Sequence, residues 1–478
     1  MIRRAFAALL LYFAARGLYL AFQLAPGMPP DELTHLGLCE IYAGAAWLPV
    51  DSAGTFHLGV VAHQPYLYYL LMGKLLHLNV TPLSDLGFLR LANLALGWAT
   101  LAVAWRWIRL FSADLAVRIF FLVIVTNTLM WTALFASVSY DNLVNLLAAT
   151  SIYTLTRTLG TKQAGALLGL GLSLLAGCLT KLAFLPFAAI LVGCLLVNEW
   201  RGLAALRRWL RGAARPRAAV VASALALVVL LAANLALYGG NLVRFERLTP
   251  SPRQVIPEAE IMRNPNLARD DIVARYRRGD LAFDEAAREA RRIPERSLQR
   301  DTFYLLSAEQ RRRSGAEASQ PLSRASYTVQ WAYLMSQRVF GFMGQEHFFH
   351  SNRALAVYWG IAALAALVFV GRALNGRLPT RLEWTLLAVA ALYALVVMQL
   401  VNYPTYRRTN VLILAVQGRY LFPVMLPVSG LLARFGVGWG PTPLRWVLAA
   451  AGALWFVAAE LPLFLWEGGA RFFVSAGG

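Results

Sequence analysis

The stretch Ala218–Tyr238 reads AAVVASALALVVLLAANLALY, 21 residues without a charge. A helix rises ~1.5 Å per residue, so this stretch matches the ~30 Å hydrocarbon core of a bilayer. In lipid each backbone N–H and C=O must be satisfied within the segment, which selects the α-helix. Similar runs occupy Phe6–Leu24, Leu86–Trp107, Leu115–Phe135, Leu143–Leu159, Ala164–Leu179, Leu182–Val197, Ala354–Val370, Trp384–Val401, Val411–Ala433 and Trp446–Trp466, giving eleven candidate spans in all. The pattern predicts an all-α, polytopic membrane protein, with residues 1–478 forming one transmembrane domain.

Composition agrees. The 478 residues are 58% hydrophobic and 15% charged, with a mean hydropathy of +0.54. Soluble domains are about half apolar and about a quarter charged. A soluble enzyme, a secreted disulfide scaffold and a disordered chain are therefore excluded. Cys39, Cys178 and Cys194 have no metal-site spacing, and three cysteines leave one unpaired.

The net charge of +20 follows from 45 basic and 25 acidic residues. It reads as membrane topology, with no nucleic acid as partner, because the basic residues gather in short loops beside apolar runs. These groups are Arg106, Arg109 and Arg118; Arg157 and Lys162; Arg201, Arg207, Arg208, Arg211, Arg215 and Arg217; Arg372, Arg377 and Arg381; and Arg434 and Arg445. All of them face the cytoplasm if the short apolar stretch Pro65–Leu78 lies on the outer surface instead of crossing. The outer face then holds a first loop over 25–85 with juxtamembrane helices, the turn Ser139–Asn142, Lys181, a long helical insertion over 239–351 and the turn Asn402–Asn410. Within the insertion, Glu258–Arg277 and Leu281–Arg292 read as amphipathic helices.

The outer loops carry the residues with chemical potential. Pro29-Pro30-Asp31-Glu32 begins a helix, where Asp31 suits an N-cap and equally a general base for an acceptor hydroxyl. Glu32 and His35 share one helical face. His63-Gln64-Pro65-Tyr66 opens the surface helix; its tyrosines suit headgroup anchoring, and His63 and Gln64 suit substrate contact. Asp141 reads as the N-cap of the following span, with a substrate contact as the alternative. Lys181 sits on the outer side, where topology asks for no positive charge, and is a candidate phosphate ligand. Arg419, in Gln417-Gly418-Arg419-Tyr420-Leu421-Phe422-Pro423, lies at the outer end of a span, and Arg407 and Arg408 stand on the same side. Several cations around one acidic loop suit an anionic headgroup such as a lipid phosphate. Arg16 and Glu460 are charges inside spans that suit a structural pair.

The Asp-Glu pair in the first loop, the His-Gln-Pro-Tyr entry, the lone Thr180-Lys181 between spans and the helix count resemble the GT-C glycosyltransferases. Pro30-Asp31-Glu32 with His35, His63–Tyr69, Gln417–Pro423 and Ser336–Gly344 are similar to a bacterial membrane family of unassigned function thought to be GT-C-like. The resemblance implies a GT-C-like bundle of about 11 transmembrane helices in the bacterial inner membrane, with its site facing the periplasm. It implies a polyprenyl-phosphate-linked sugar donor, transfer to a glycan, lipid or protein acceptor, and inversion at the anomeric carbon. Asp31, or Glu32, is then the catalytic base, with Lys181 and Arg419 on the phosphate. His35, His63, Gln64, Tyr66, Asp141, Arg407, Arg408 and Tyr420 are the remaining expected substrate contacts. A cofactor is not certain: a divalent metal ion stays open, for which Asp31, Glu32, His35 and His63 carry donor atoms. The alternatives are a transporter or flippase of lipid-linked glycans, which often has repeated halves and buried charges along a central path, and an O-antigen polymerase or ligase, which relies on loop arginines.

Overall fold

The apolar runs are helices in the computed structural model, which describes residues 2–199, 218–315, 321–343, 346–347, 353–466 and 472–473. Arg201, Arg207, Arg208, Arg211, Arg215 and Arg217 lie outside the described residues. Six helices are long and apolar enough to cross a membrane: Arg4–Gln23, Asp85–Phe111, Ala218–Phe245, Arg353–Leu374, Arg381–Thr409 and Thr442–Trp466. A seventh span is counted if the pair Leu115–Thr126 and Leu129–Phe135, bent by 61°, crosses as one. Two more expected runs form the shorter apolar helices Ala164–Thr180 and Phe184–Asn198. The expected run 143–159 forms Tyr140–Thr161, a helix largely enclosed by its neighbours. The all-α, polytopic architecture holds; β-structure among the described residues amounts to a two-residue pairing of Phe342–Met343 with Glu346–His347 and a single bridge from Leu24 to Phe473.

The bend after Thr126 has a cause. Arg16, on the first helix, donates to the carbonyl of Thr126, to Thr132 Oγ1 at 2.7 Å and to Asn127 Oδ1 at 3.4 Å, filling the gap in the helical ladder. Its guanidinium also pairs with Glu460, so a buried ion pair ties the first helix to the last.

The expected span over 411–433 is not one helix. The chain leaves the helix Arg381–Thr409, runs without regular structure through Gln417, makes the 3-10 segment Gly418–Val424 and enters Met425–Gly436. Side chains take over the task of the missing ladder: Asn402 Nδ2 donates to the carbonyl of Ala415 at 2.6 Å, and Arg338 donates to that of Val416. Gly418 lies against the backbone of Arg338, where a Cβ would collide with the carbonyl. The expected turn at Asn402–Asn410 is helical as far as Thr409, so Arg407 and Arg408 sit on the last turn of a long helix.

The segments expected on the outer face form two parts. Helices Glu32–Gly44 and Leu67–Leu76 pack so closely that a Cβ on Gly73 would lie 2.7 Å from the carbonyl oxygen of Cys39. The insertion has its own core, including Ile272, Tyr276, Ile293, Leu298 and Leu306. Its first expected amphipathic helix is split: Asn264 accepts from Leu267 N and caps Pro265–Arg278, while its amide donates to the carbonyl of Phe56 at 3.0 Å. Asn264 thereby ties the insertion to the first loop. Two further helices, Arg296–Arg313 and Arg324–Phe340, complete it.

Candidate active site

Glu32 and Arg90 set the position of everything around them. Arg90 binds Glu32 through two parallel bonds of 2.9 and 2.7 Å and also donates to the carbonyls of Ala21 and Leu24. The same carboxylate accepts from the backbone of Gly27 and Val138, each at 3.2 Å. Glu32 is 1% exposed and fully engaged, so it fixes the end of the first helix, the first loop and the segment before Tyr140 in one cluster.

That cluster presents the adjacent Asp31. Asp31 occupies the N-cap position of Glu32–Gly44 with a left-handed backbone (φ 61°, ψ 14°) and makes no side-chain cap bond, contrary to the capping expectation. A non-glycine residue held there costs ~1–3 kcal/mol and is characteristic of functional positions. Its carboxylate, 34% exposed, instead accepts from Arg419 Nη2 at 2.5 Å, and Arg419 Nη1 donates to the carbonyl of Pro30. Burial, the largest single influence, pushes the Asp31 carboxyl up, but the Arg419 guanidinium, with smaller help from His35 and Glu295, more than offsets it and holds the carboxyl at about 2.

Asp141 is not the cap of its helix; Ser139 is, accepting from Asp141 N. The Asp141 carboxylate instead sits between two cations, 2.6 Å from Lys181 Nζ and 3.6 Å from Arg419 Nε. Lys181 also lies over the rings of Tyr140 and Tyr420, 4.6 and 5.2 Å from their centroids. Asp31, Arg419, Asp141 and Lys181 therefore form one chain of alternating charge, assembled from four separate parts of the sequence.

This chain divides two cavities. The first, of about 320 Å³, has mainly apolar walls, including Val144, Phe184, Val397 and Val401, with Lys181 and Arg419 exposed to it. Arg419 Nε, Asp141 Oδ2 and Gln64 Nε2, all buried at this cavity, have no hydrogen-bond partner in the protein. The second, of about 440 Å³, is polar and is roofed by the insertion; Asp31, Glu295, Asp301, Arg338 and Arg408 line it. Tyr420 belongs to both walls.

The other expected residues divide clearly. Gln64 and Tyr420 reach the cavities, and Arg408 reaches the polar one. His35 is buried behind the site: Nδ1 is 2.9 Å from Tyr69 Oη, the ring packs edge-on to Tyr140, and burial lowers its pKa to about 4. His63 serves the seam with the insertion, with Nδ1 3.2 Å from Asn241 Oδ1 and its ring against Phe245. Tyr66 packs on the hydrophobic core, Arg407 is exposed, and neither lines these two cavities. For a divalent metal ion, Glu32 is saturated by Arg90 and the two histidines are apart. Among the described residues no three His, Cys, Asp or Glu side chains gather as a ligand set, so the candidate donors do not fit a cation.

The sequence reading did not single out Tyr140, Asp301 or Glu295. Arg338 lay in a motif quoted only by resemblance. Glu295 had no signal, because a carboxylate in a mixed-charge insertion looks like any solvated surface charge.

No family model matches the sequence, and no curated protein matches it. Among solved structures, the fold has a coarse likeness to the crystal structure of ArnT from Cupriavidus metallidurans in the apo state. The two share 15% identity with a TM-score of 0.38, over 92% of this chain and 78% of that one. A likeness of this size transfers no residue roles.

Proposed function

We propose that this protein is an inner-membrane glycosyltransferase that moves a sugar from a polyprenyl-phosphate donor to an acceptor hydroxyl on the periplasmic side. The observation that carries the reading is the Asp31–Arg419–Asp141–Lys181 chain standing between an apolar cavity and a polar one. An amphipathic donor needs such a boundary. Its prenyl chain follows the apolar walls at Val144, Val397 and Val401, and its phosphate meets Lys181 and Arg419. Asp141 keeps the two cations together and lowers the cost of their burial.

In the transfer, the acceptor oxygen attacks the anomeric carbon from the side opposite the phosphate. The carbon–oxygen bond to the phosphate breaks, and its electron pair leaves with the polyprenyl phosphate. Lys181 and Arg419 stabilise the charge that develops there. Asp31, on the polar side, orients the acceptor hydroxyl and receives its proton. Glu32 is assigned a positioning role, since its oxygens are already occupied. The acceptor, a glycan, lipid or protein, enters through the polar cavity beneath the insertion.

The test uses purified protein in nanodiscs with a panel of polyprenyl-phosphate sugars, following sugar release to water or to added acceptors and the configuration of the product. Turnover of at least one donor with inversion is the expected result. Retention of configuration, or no turnover of any donor, contradicts the reading.

A further inference from the structure

The insertion does more than cover the polar cavity. It delivers Glu295, at the start of Arg296–Arg313, to the wall of the polar cavity, where its carboxyl interacts with that of Asp31. Both carboxyls line the same cavity, and Ser297 Oγ donates to Glu295 Oε1. Two carboxyls in contact cannot both ionise without cost, so the pair holds one proton up to a higher pH than a lone carboxyl would, and is fully ionised only above it. The positions of their partners decide where that proton sits. Arg419 binds Asp31 from the opposite side and favours its charge.

We propose that Glu295 is the second carboxyl of this site and the resting place of the proton that leaves the acceptor hydroxyl. The inference rests on the transferase reading for its catalytic role, while the shared proton rests on the placing of the two carboxyls at one cavity wall.

The surroundings of Glu295 support the assignment. Burial raises its carboxyl to about 7, and the neighbouring charges of Asp31 and Asp301 add to the rise. Arg269, Arg300, Arg338 and Arg408, from four helices, line the same polar cavity. On the other side Glu295 shares a cavity with His57, Arg263, Glu289 and Arg292. Asp31, held at about 2, is a poor final acceptor at neutral pH, whereas a carboxyl near 7 matches the task.

The step balances as follows. The pair begins with both carboxyls ionised. As the acceptor oxygen bonds to the anomeric carbon and the phosphate departs with its electron pair, the hydroxyl proton passes to the pair and comes to rest on Glu295. Release of that proton to water in the polar cavity restores the starting state.

Infrared titration of the full-length protein in nanodiscs reads the shared proton without substrate. A carboxylic-acid C=O band is expected to disappear with a midpoint at about 7. It is expected to be absent in E295Q and to move to lower pH in D31N, which loses the neighbouring charge. With a turned-over polyprenyl-phosphate sugar as probe, the wild-type rate is expected to rise with pH through that midpoint. E295Q is expected to lose the rise and at least ~100-fold in rate, and E295D to restore a rise at lower pH. Persistence of the band in E295Q, or an E295Q rate profile like wild type, overturns the proposal. A band lost in E295Q with no donor turned over supports the shared proton and overturns the transferase reading.

Discussion

Two adjacent carboxylates, Asp31 and Glu32, look equivalent in sequence and are opposite in environment. Glu32 accepts four hydrogen bonds and is 1% exposed, while Asp31 is 34% exposed at a cavity wall. Removing one partner of a buried ion pair costs ~3–5 kcal/mol. Glu32→Gln is therefore expected to lower the thermal midpoint in detergent strongly, and Asp31→Asn to lower it much less while abolishing turnover. Equal midpoints for the two variants would contradict the division of roles. His35 supplies a pH prediction. Its pKa falls from 6.5 to about 4 through burial, so between these values the unfolded chain binds more protons than the folded one. Stability is thus expected to fall by ~3 kcal/mol as pH drops through that window, and to be constant above it. His35→Gln should flatten this limb of a melting-temperature series against pH. Asp31, Asp141, Lys181 and Arg419 were legible in the sequence because charges at the ends of apolar runs are expensive and stand out. Their pairing was not, since Asp31 and Arg419 are separated by 388 positions.

At the scale of elements, the segment after Thr409 illustrates what hydropathy misses. The run 411–433 is apolar throughout most of its length, yet its first part is held in non-helical turns by side chains from elsewhere. Trp331 Nε1 donates to Asn402 Oδ1 at 2.8 Å, Asn402 in turn serves Ala415, and Arg338 serves Val416. Gly418 and Pro423 disfavour a continuous helix, but the backbone groups of the break are satisfied through residues 71 to 78 positions distant in sequence, which periodicity cannot register. The arrangement predicts that Gly418→Ala, by forcing a Cβ into the Arg338 carbonyl, displaces Arg419 from the apolar cavity and Tyr420 from the wall of both. Loss of turnover together with a lower thermal midpoint is expected, and unchanged turnover would show that the close approach is dispensable. Lys181→Met tests the opposite wall. Its loss leaves Asp141 with Arg419 alone, and donor affinity is expected to fall at least ~10-fold, about the 1.4 kcal/mol of one weakened charge-assisted contact. Equilibrium binding of a fluorescent polyprenyl phosphate measures this, and unaltered affinity would remove Lys181 from the phosphate site.

The whole molecule joins a bundle of long apolar helices to a part built from the first loop and the insertion. The membrane class was evident from length and composition, because lipid leaves few architectures open. The contact between the first loop and the insertion was not, since it hangs on particular groups such as Asn264 with Phe56 and His63 with Asn241. If the insertion builds the acceptor side, replacing 258–313 with a short linker should leave donor binding intact and abolish or redirect transfer. Unchanged acceptor choice after the replacement would contradict that role. The most direct test of the account is a paired measurement on wild type and Asp31→Asn in nanodiscs: binding and turnover of the same polyprenyl-phosphate sugar. The account predicts that Asp31→Asn binds the donor as wild type does and does not turn it over. Turnover that persists in Asp31→Asn, or a wild-type protein that binds no polyprenyl-phosphate sugar, would contradict it.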